Sequence, residues 1–280
     1  MQIFEFFKAF LIGIVQGITE WLPVSSTGHM ILLNSVLKLN VSEAFWDMFL
    51  VVIQLGSILA VLVLFWDRLY PFSRKKSTEE KKATWSLWFH VILAIIPSGV
   101  IGILLDDWFD AHLHRAVPVA VALIVYGIVF LFLERMPGRK SGEVASANAV
   151  SYRTAFLIGV FQILALIPGT SRSGSTILGA MLLGLSRTAA AEFSFFMAVP
   201  TMLGASGIKI LKFVLDGEAA ITGNEWIILT IGCVTAFLVS LAAIRYLMDY
   251  VKRHTFAAFG VYRILLGALV IGAACMGWIH

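Results

Sequence analysis

Apolar residues run through this chain in long unbroken stretches, not in the short alternations of a water-soluble fold. Six stretches are long enough to cross a hydrocarbon core of about 30 Å, which takes about 20 helical residues. They are Ala44–Trp66, Trp85–Leu105, Val117–Leu133, Ala190–Leu211, Trp226–Leu247 and Phe256–Trp278. Two further stretches, Ile3–Leu22 and Thr154–Ile167, run straight into polar loops with the sequences PVSSTGH (Pro23 to His29) and PGTSRSGS (Pro168 to Ser175). Each loop opens with a proline, which removes a helical donor and clashes with the preceding turn. A serine or threonine then offers an N-cap, predicting short second helices at Met30–Leu37 and Thr176–Leu183.

The two interrupted segments are copies of one another. Ala9-Phe10-Leu11-Ile12-Gly13 with Gln16 recurs as Ala155-Phe156-Leu157-Ile158-Gly159 with Gln162, and Leu37-x-Leu39 recurs as Leu183-x-Leu185 at the same offset of 146 residues. The pattern predicts an all-α integral membrane protein with six transmembrane helices plus two re-entrant helix–loop–helix hairpins. It forms one polytopic domain over residues 1–280, built of two inverted-topology repeats at about 1–140 and 150–280. Non-helical backbone at membrane depth is tolerated only where protein or a polar cavity surrounds it, so the loops are expected to meet near the midplane as a binding site.

Composition agrees: hydrophobic residues make up 59% of the 280 positions, charged residues 14%, and mean hydropathy is +0.90. A soluble domain carries about a quarter charged residues. Basic residues cluster at Arg68 with Arg74-Lys75-Lys76 and Lys81-Lys82, at Arg135 with Arg139-Lys140, and at Arg245 with Lys252-Arg253. Between them lie the acidic Asp106-Asp107…Asp110 and the stretch from Asp216 to Glu225, which has no Lys or Arg. With basic clusters cytoplasmic, residues 136–153 lie inside and Arg245–Arg253 returns inside only if the second polar segment enters and leaves on one side. Eight full crossings would put that cluster outside, although Lys209 and Lys212 count against the re-entrant order. The net charge of +4 thus reads as loop anchoring, not nucleic-acid binding. Cys233 and Cys275 lie inside apolar runs and give no disulfide or zinc framework. No cleavable signal is expected, because no small-residue cleavage site follows the first apolar stretch.

The polar loops carry the chemistry. Gln16 and Glu20 share one helical face before the first loop, which supplies Ser25, Ser26, Thr27 and His29. The second supplies Thr170, Ser171, Arg172, Ser173, Gly174 and Ser175. Together these offer a hydroxyl nucleophile, a base to activate it, a carboxylate to orient the base or hold a metal, and a cation for phosphate. Both short helices would aim their positive N-termini at the meeting point, where phosphate is attracted. Taken singly, Ser and Thr in membrane helices more often bond backbone, and a lone arginine snorkels. Glu20, His29 and Arg172 converging from matched loops are harder to explain that way, because intramembrane charge is costly. Ser26 and His29 at i, i+3 are the expected nucleophile and base, with Ser25 the expected cap. Gln16, Ser25, Thr27, Thr170, Ser171, Ser173 and Gly174 are expected to line the substrate. Asp47 and Glu192 are expected to pair with Arg187 or to seat the loops, and His90 to be a hydrogen-bonded helix histidine. Arg263 and Tyr262, inside the last run, are given no role.

The segments QGITEWLPVSSTGH (Gln16 to His29), PGTSRSGS (Pro168 to Ser175) and EFSFFMAVP (Glu192 to Pro200) resemble the bacterial undecaprenyl-diphosphate phosphatase family of the bacitracin-resistance type. The likeness covers the whole chain. It implies hydrolysis of undecaprenyl diphosphate to the monophosphate, recycling the carrier for cell-wall synthesis and giving bacitracin resistance. The family's first motif falls on Gln16 and Glu20, where many members have two glutamates. Its serine–histidine pair falls on Ser26 and His29, and its arginine on Arg172. The resemblance further implies a divalent cation, Mg2+ or Ca2+, with Glu20 as its ligand. It places the protein in the bacterial cytoplasmic membrane with its site open to the outer face. Expected partners are the polyprenyl diphosphate, the bilayer and a second copy in a homodimer, with no nucleic acid. A polyprenyl-phosphate transporter is the alternative, since broken inverted repeats also build transporters. The other membrane lipid-phosphatase superfamily is excluded, because Ser186-Arg187 has no histidine downstream until His254.

Overall fold

The computed structural model describes residues 2–113, 115–136, 144–215 and 221–279. Arg139, Lys140 and Asp216, used in the charge reading above, lie outside them. Asp106, Asp107 and Asp110 belong to a helix and not to a loop.

The apolar runs fold as helices in chain order: α1 Gln2–Thr19, α2 Ser26–Val36, α3 Glu43–Leu64, one-turn α4 Trp66–Leu69, α5 Thr78–Leu113, α6 Ala116–Arg135, α7 Tyr152–Ile163, α8 Arg172–Leu182, α9 Arg187–Leu215, α10 Gly223–Arg253 and α11 Ala257–Cys275. Among the described residues, seven helices are long and apolar enough to cross a bilayer. Six are those expected from the long runs. The seventh is α1, which was expected only as an arm of a hairpin; its 18 residues reach about 27 Å at 1.5 Å per residue. The corresponding α7 has 12 residues and does not.

The short helices start earlier than predicted, at Ser26 instead of Met30 and at Arg172 instead of Thr176. The cause is the residue just before each. Ser25 and Ser171 have φ of 71° and 73°, a conformation that costs a non-glycine residue about 1–3 kcal/mol. Each accepts, on its hydroxyl, the backbone N–H three residues on, from Gly28 and Gly174. The cap closes the first turn around the polar motif. Ser26, Thr27 and His29, like Arg172, Ser173 and Gly174, are therefore first-turn residues, not loop residues.

Helix α1 packs along α10, α7 along α5, and α6 along α11, while α3 lies between α9 and α10. Small residues make the close crossings. On α7, a Cβ at Gly159 would run into the backbone carbonyl of Ala94 on α5. Ion pairs at the helix ends differ from expectation: Glu192 takes Arg68 of α4 at 2.7 Å, and Arg187 takes Glu134 of α6. Asp47 is exposed. The short α4 brings Arg68 against α9, and the α8–α9 junction sits at the end of α6, so neither acid meets Arg187.

Gly159→Val should overpack the α5–α7 crossing and lower stability by about 1–3 kcal/mol. Gly204→Ala, in α9 with no atom within 4 Å of an added Cβ, should leave stability unchanged or raise it by up to about 1 kcal/mol. Thermal unfolding in detergent compares the two; equal effects would contradict the crossing.

Candidate active site

The chain between α1 and α2 and the chain between α7 and α8 meet inside the helix bundle. From the first, Glu20 is 6% exposed and Gln16 2%. The Gln16 amide donates from Nε2 to Glu20 Oε2 at 2.8 Å, as their shared face predicts. The other carboxylate oxygen, Oε1, accepts from Arg172 Nη2 at 2.9 Å. This ion pair thus joins the two polar segments. Arg172 also donates from Nη1 to the Ser194 carbonyl at 3.0 Å, and its guanidinium lies 5.6 Å from the Trp21 ring centre. Thr176 and Ser194 share a hydroxyl contact of 2.6 Å beneath it. Ser173 donates to the Leu22 carbonyl at 3.3 Å, and Ser171 and Ser173 hydroxyls are 3.1 Å apart. Thr170 donates to the carbonyls of Leu164 and Ile167, turning the chain after α7.

His29 is held at both nitrogens. Nδ1 lies 2.7 Å from the Ser25 carbonyl and Nε2 lies 2.6 Å from the Tyr262 hydroxyl. A carbonyl only accepts, so Nδ1 carries the proton, and Nε2 then accepts from Tyr262. Ser26, next to the cap, is part-exposed and makes no side-chain hydrogen bond among the described residues. The structure therefore brings Glu20 to Arg172 and Gln16, and His29 to Tyr262. It shows no hydrogen bond from His29 to Ser26 or to Glu20.

Sequence reading left out Tyr262 and Arg263. Arg263 is fully buried and donates to the carbonyls of Pro23, Gly169 and Thr170 at 3.1, 2.8 and 2.9 Å. The available signal was the cost of an arginine inside an apolar run. Each repeat places a tyrosine on the matched position: Tyr262 of α11 on His29, and Tyr126 of α6 on Ser175 at 3.3 Å. His29 and Ser175 are 146 residues apart. His90 behaves as expected, bonded to the Ser86 carbonyl and stacked on Tyr152.

Among the described residues, no three His, Cys, Asp or Glu side chains gather as a metal cage. Glu20 is the carboxylate at the site. A single carboxylate fits the way Mg2+ is often held, by one or two carboxylates together with substrate phosphates.

The match to known proteins is decisive. The family model for bacitracin resistance protein BacA fits residues 9–269. The chain belongs to the BacA family. A protein of Enterococcus faecalis named undecaprenyl-diphosphatase is 53% identical over 273 residues, covering 97% of this chain and 98% of that protein. One of Streptococcus pyogenes serotype M4 with the same name is 52% identical over 97% of each chain. In this BacA-family chain, both polar segments that the fold brings together, Pro23–His29 and Pro168–Ser175, lie within the matched residues 9–269.

Removing one partner of a buried ion pair costs about 3–5 kcal/mol, because the other charge is left unpaired. Glu20→Gln and Arg172→Met should each destabilise the protein, and the double variant should recover at least about 1 kcal/mol of their sum. Thermal unfolding of all four proteins in detergent measures the coupling. Strict additivity would contradict the contact.

Proposed function

We propose that this protein hydrolyses undecaprenyl diphosphate to undecaprenyl phosphate and inorganic phosphate. The observation that carries the reading is the Glu20–Arg172 pair, which joins two serine-capped helix N-termini into one anion site in a chain about half identical to proteins named undecaprenyl-diphosphatase. Helix N-termini and arginine forks are what a diphosphate binds. Phosphoryl transfer asks mainly for such charge placement.

In the proposed reaction the terminal phosphate lies across Arg172 and the first-turn amides of α2 and α8. Ser26 Oγ attacks the terminal phosphorus, the bridging P–O bond breaks, and undecaprenyl phosphate leaves. His29 Nε2 takes the serine proton after Tyr262 gives up its hydrogen bond, and Glu20 keeps Arg172 in place. The proton passes from His29 to the departing undecaprenyl phosphate; water then attacks the phosphoserine, giving its proton to His29, which returns it to Ser26 Oγ as the Ser26 O–P bond breaks and inorganic phosphate leaves. Gln16, Ser25, Thr27, Thr170, Ser171, Ser173 and Gly174 are the further residues assigned to substrate binding in this proposal. A divalent cation carried by the diphosphate would screen its charge, with Glu20 as the protein ligand.

The finer architecture belongs to the same proposal: six full crossings, two re-entrant hairpins and halves of opposite orientation. The exchange of partners supports it, with α1 on α10 answering α7 on α5, as do the matched Ser25 and Ser171 caps. The site then opens to the outer face of the cytoplasmic membrane. The transporter alternative gains no support, since the relatives are named for hydrolysis and binding alone needs no nucleophile and base.

Purified protein in detergent should release phosphate from undecaprenyl diphosphate and slow on chelation. Ser26→Ala and His29→Ala should each lose about 10²–10⁴-fold, with the double variant barely worse. Absence of release from the wild type would defeat the reading. A tenth of activity retained in Ser26→Ala, with none in His29→Ala, would move the attack to His29 or to water. For the topology, cysteines at Lys76 and Lys252 should label only from the cytoplasm and one at Thr222 only from outside. Outside labelling at 252 would restore eight crossings.

A further inference from the structure

We infer that Arg263 is a positioning residue of this site, a charged clamp across both loops whose counter-charge is the substrate's diphosphate. The inference rests on the hydrolase reading above and assigns a role to a residue outside its motifs. Arg263 sits in the interior of α11 with no exposed surface. Its Nη1 bonds the Pro23 carbonyl and its Nη2 the carbonyls of Gly169 and Thr170. Pro23 and Gly169 are 146 residues apart in the sequence, so one guanidinium grips the same point of both repeats. Each gripped residue lies one or two places before a cap serine. Across a trans peptide the next N–H points opposite to the carbonyl, so turning the Thr170 carbonyl to Arg263 turns the Ser171 N–H away from it. The first turn of α8 leaves room for the fork, since a Cβ on Gly174 would come within 3.2 Å of Arg263 Nη1.

The charge balance gives the second half of the role. Arg172 has Glu20. Arg263 pairs with no carboxylate among the described residues; the Tyr126 ring lies 5.4 Å from its guanidinium, and its Nε is unpartnered. Carbonyls satisfy its hydrogen bonds but leave its charge uncancelled, and a buried uncancelled charge is costly. The anion that binds between the two loops supplies the missing charge.

The two functions separate by substitution. Lysine keeps the charge and loses the planar fork. Glutamine keeps two donors and loses the charge. Phosphate release from undecaprenyl diphosphate by purified Arg263→Lys should show KM within about threefold of wild type and kcat lower by at least about tenfold, the scale of slight misplacement at a reacting centre. Arg263→Gln should raise KM by at least about tenfold, as expected on removing one side of a buried charge interaction. A merely structural arginine would lower the amount of folded protein without splitting KM from kcat. Wild-type KM in Arg263→Gln overturns the counter-charge. Wild-type kcat in Arg263→Lys overturns the clamp, and decides alone if the glutamine variant does not fold. Inactive wild-type protein defeats the hydrolase reading instead.

Discussion

A helix that stops inside an apolar bundle leaves amides and carbonyls that no lipid or water satisfies, and this protein stops two of them. The rest of the site follows from how those ends are satisfied. Ser25 and Ser171 accept amides of the restarting helices at the cost of an unfavourable φ. Arg263 collects carbonyls from both interruptions. What remains unspent at each helix start is a set of first-turn N–H groups, on the turns that begin with Ser26 and Arg172. The same devices that make the broken backbone tolerable are the ones that the proposed phosphate site uses.

The duplication explains why one chain can build such a site and why the halves differ. Each repeat brings a glutamine, a capped helix start and a tyrosine. Gln16 has Glu20 four residues on, whereas Gln162, with Leu166 at that place, donates to the Ser98 hydroxyl at 2.5 Å instead. Position 26 is serine where position 172 is arginine, and position 29 is histidine where position 175 is serine. A repeated sequence thus carries an unequal set of side chains: carboxylate, serine and histidine from the first half, arginine from the second. The ion pair between Glu20 and Arg172 joins them.

Much of this was legible in the sequence because bilayer physics is written in run lengths. The six long helices were found with their ends displaced by one to eight residues, most at α5, where the polar turns Thr78–Thr84 extend the helix before its apolar stretch. The starts of α2 and α8 were set four residues late, since a serine with positive φ has no composition signal. Gln16–Glu20 could be read from i, i+4 spacing. The link from Glu20 to Arg172 spans 152 residues, and only the repeat hinted at it. Tyr262 and Arg263 were missed because they lie far from either motif, in an apolar run where position alone does not show which face points inward. The Arg68–Glu192 and Arg187–Glu134 pairs depend on where α4 and α6 end in space, which spacing does not encode.

The central claim is that both interrupted segments hold one phosphate group together. An experimental structure with a methylene-bridged undecaprenyl diphosphonate bound would test it most directly. The account predicts the terminal phosphonate within hydrogen-bond distance of the Arg172 guanidinium and of the first-turn amides of α2, with Ser26 Oγ facing the phosphorus. A diphosphonate bound to only one segment, or away from Arg172, would contradict it.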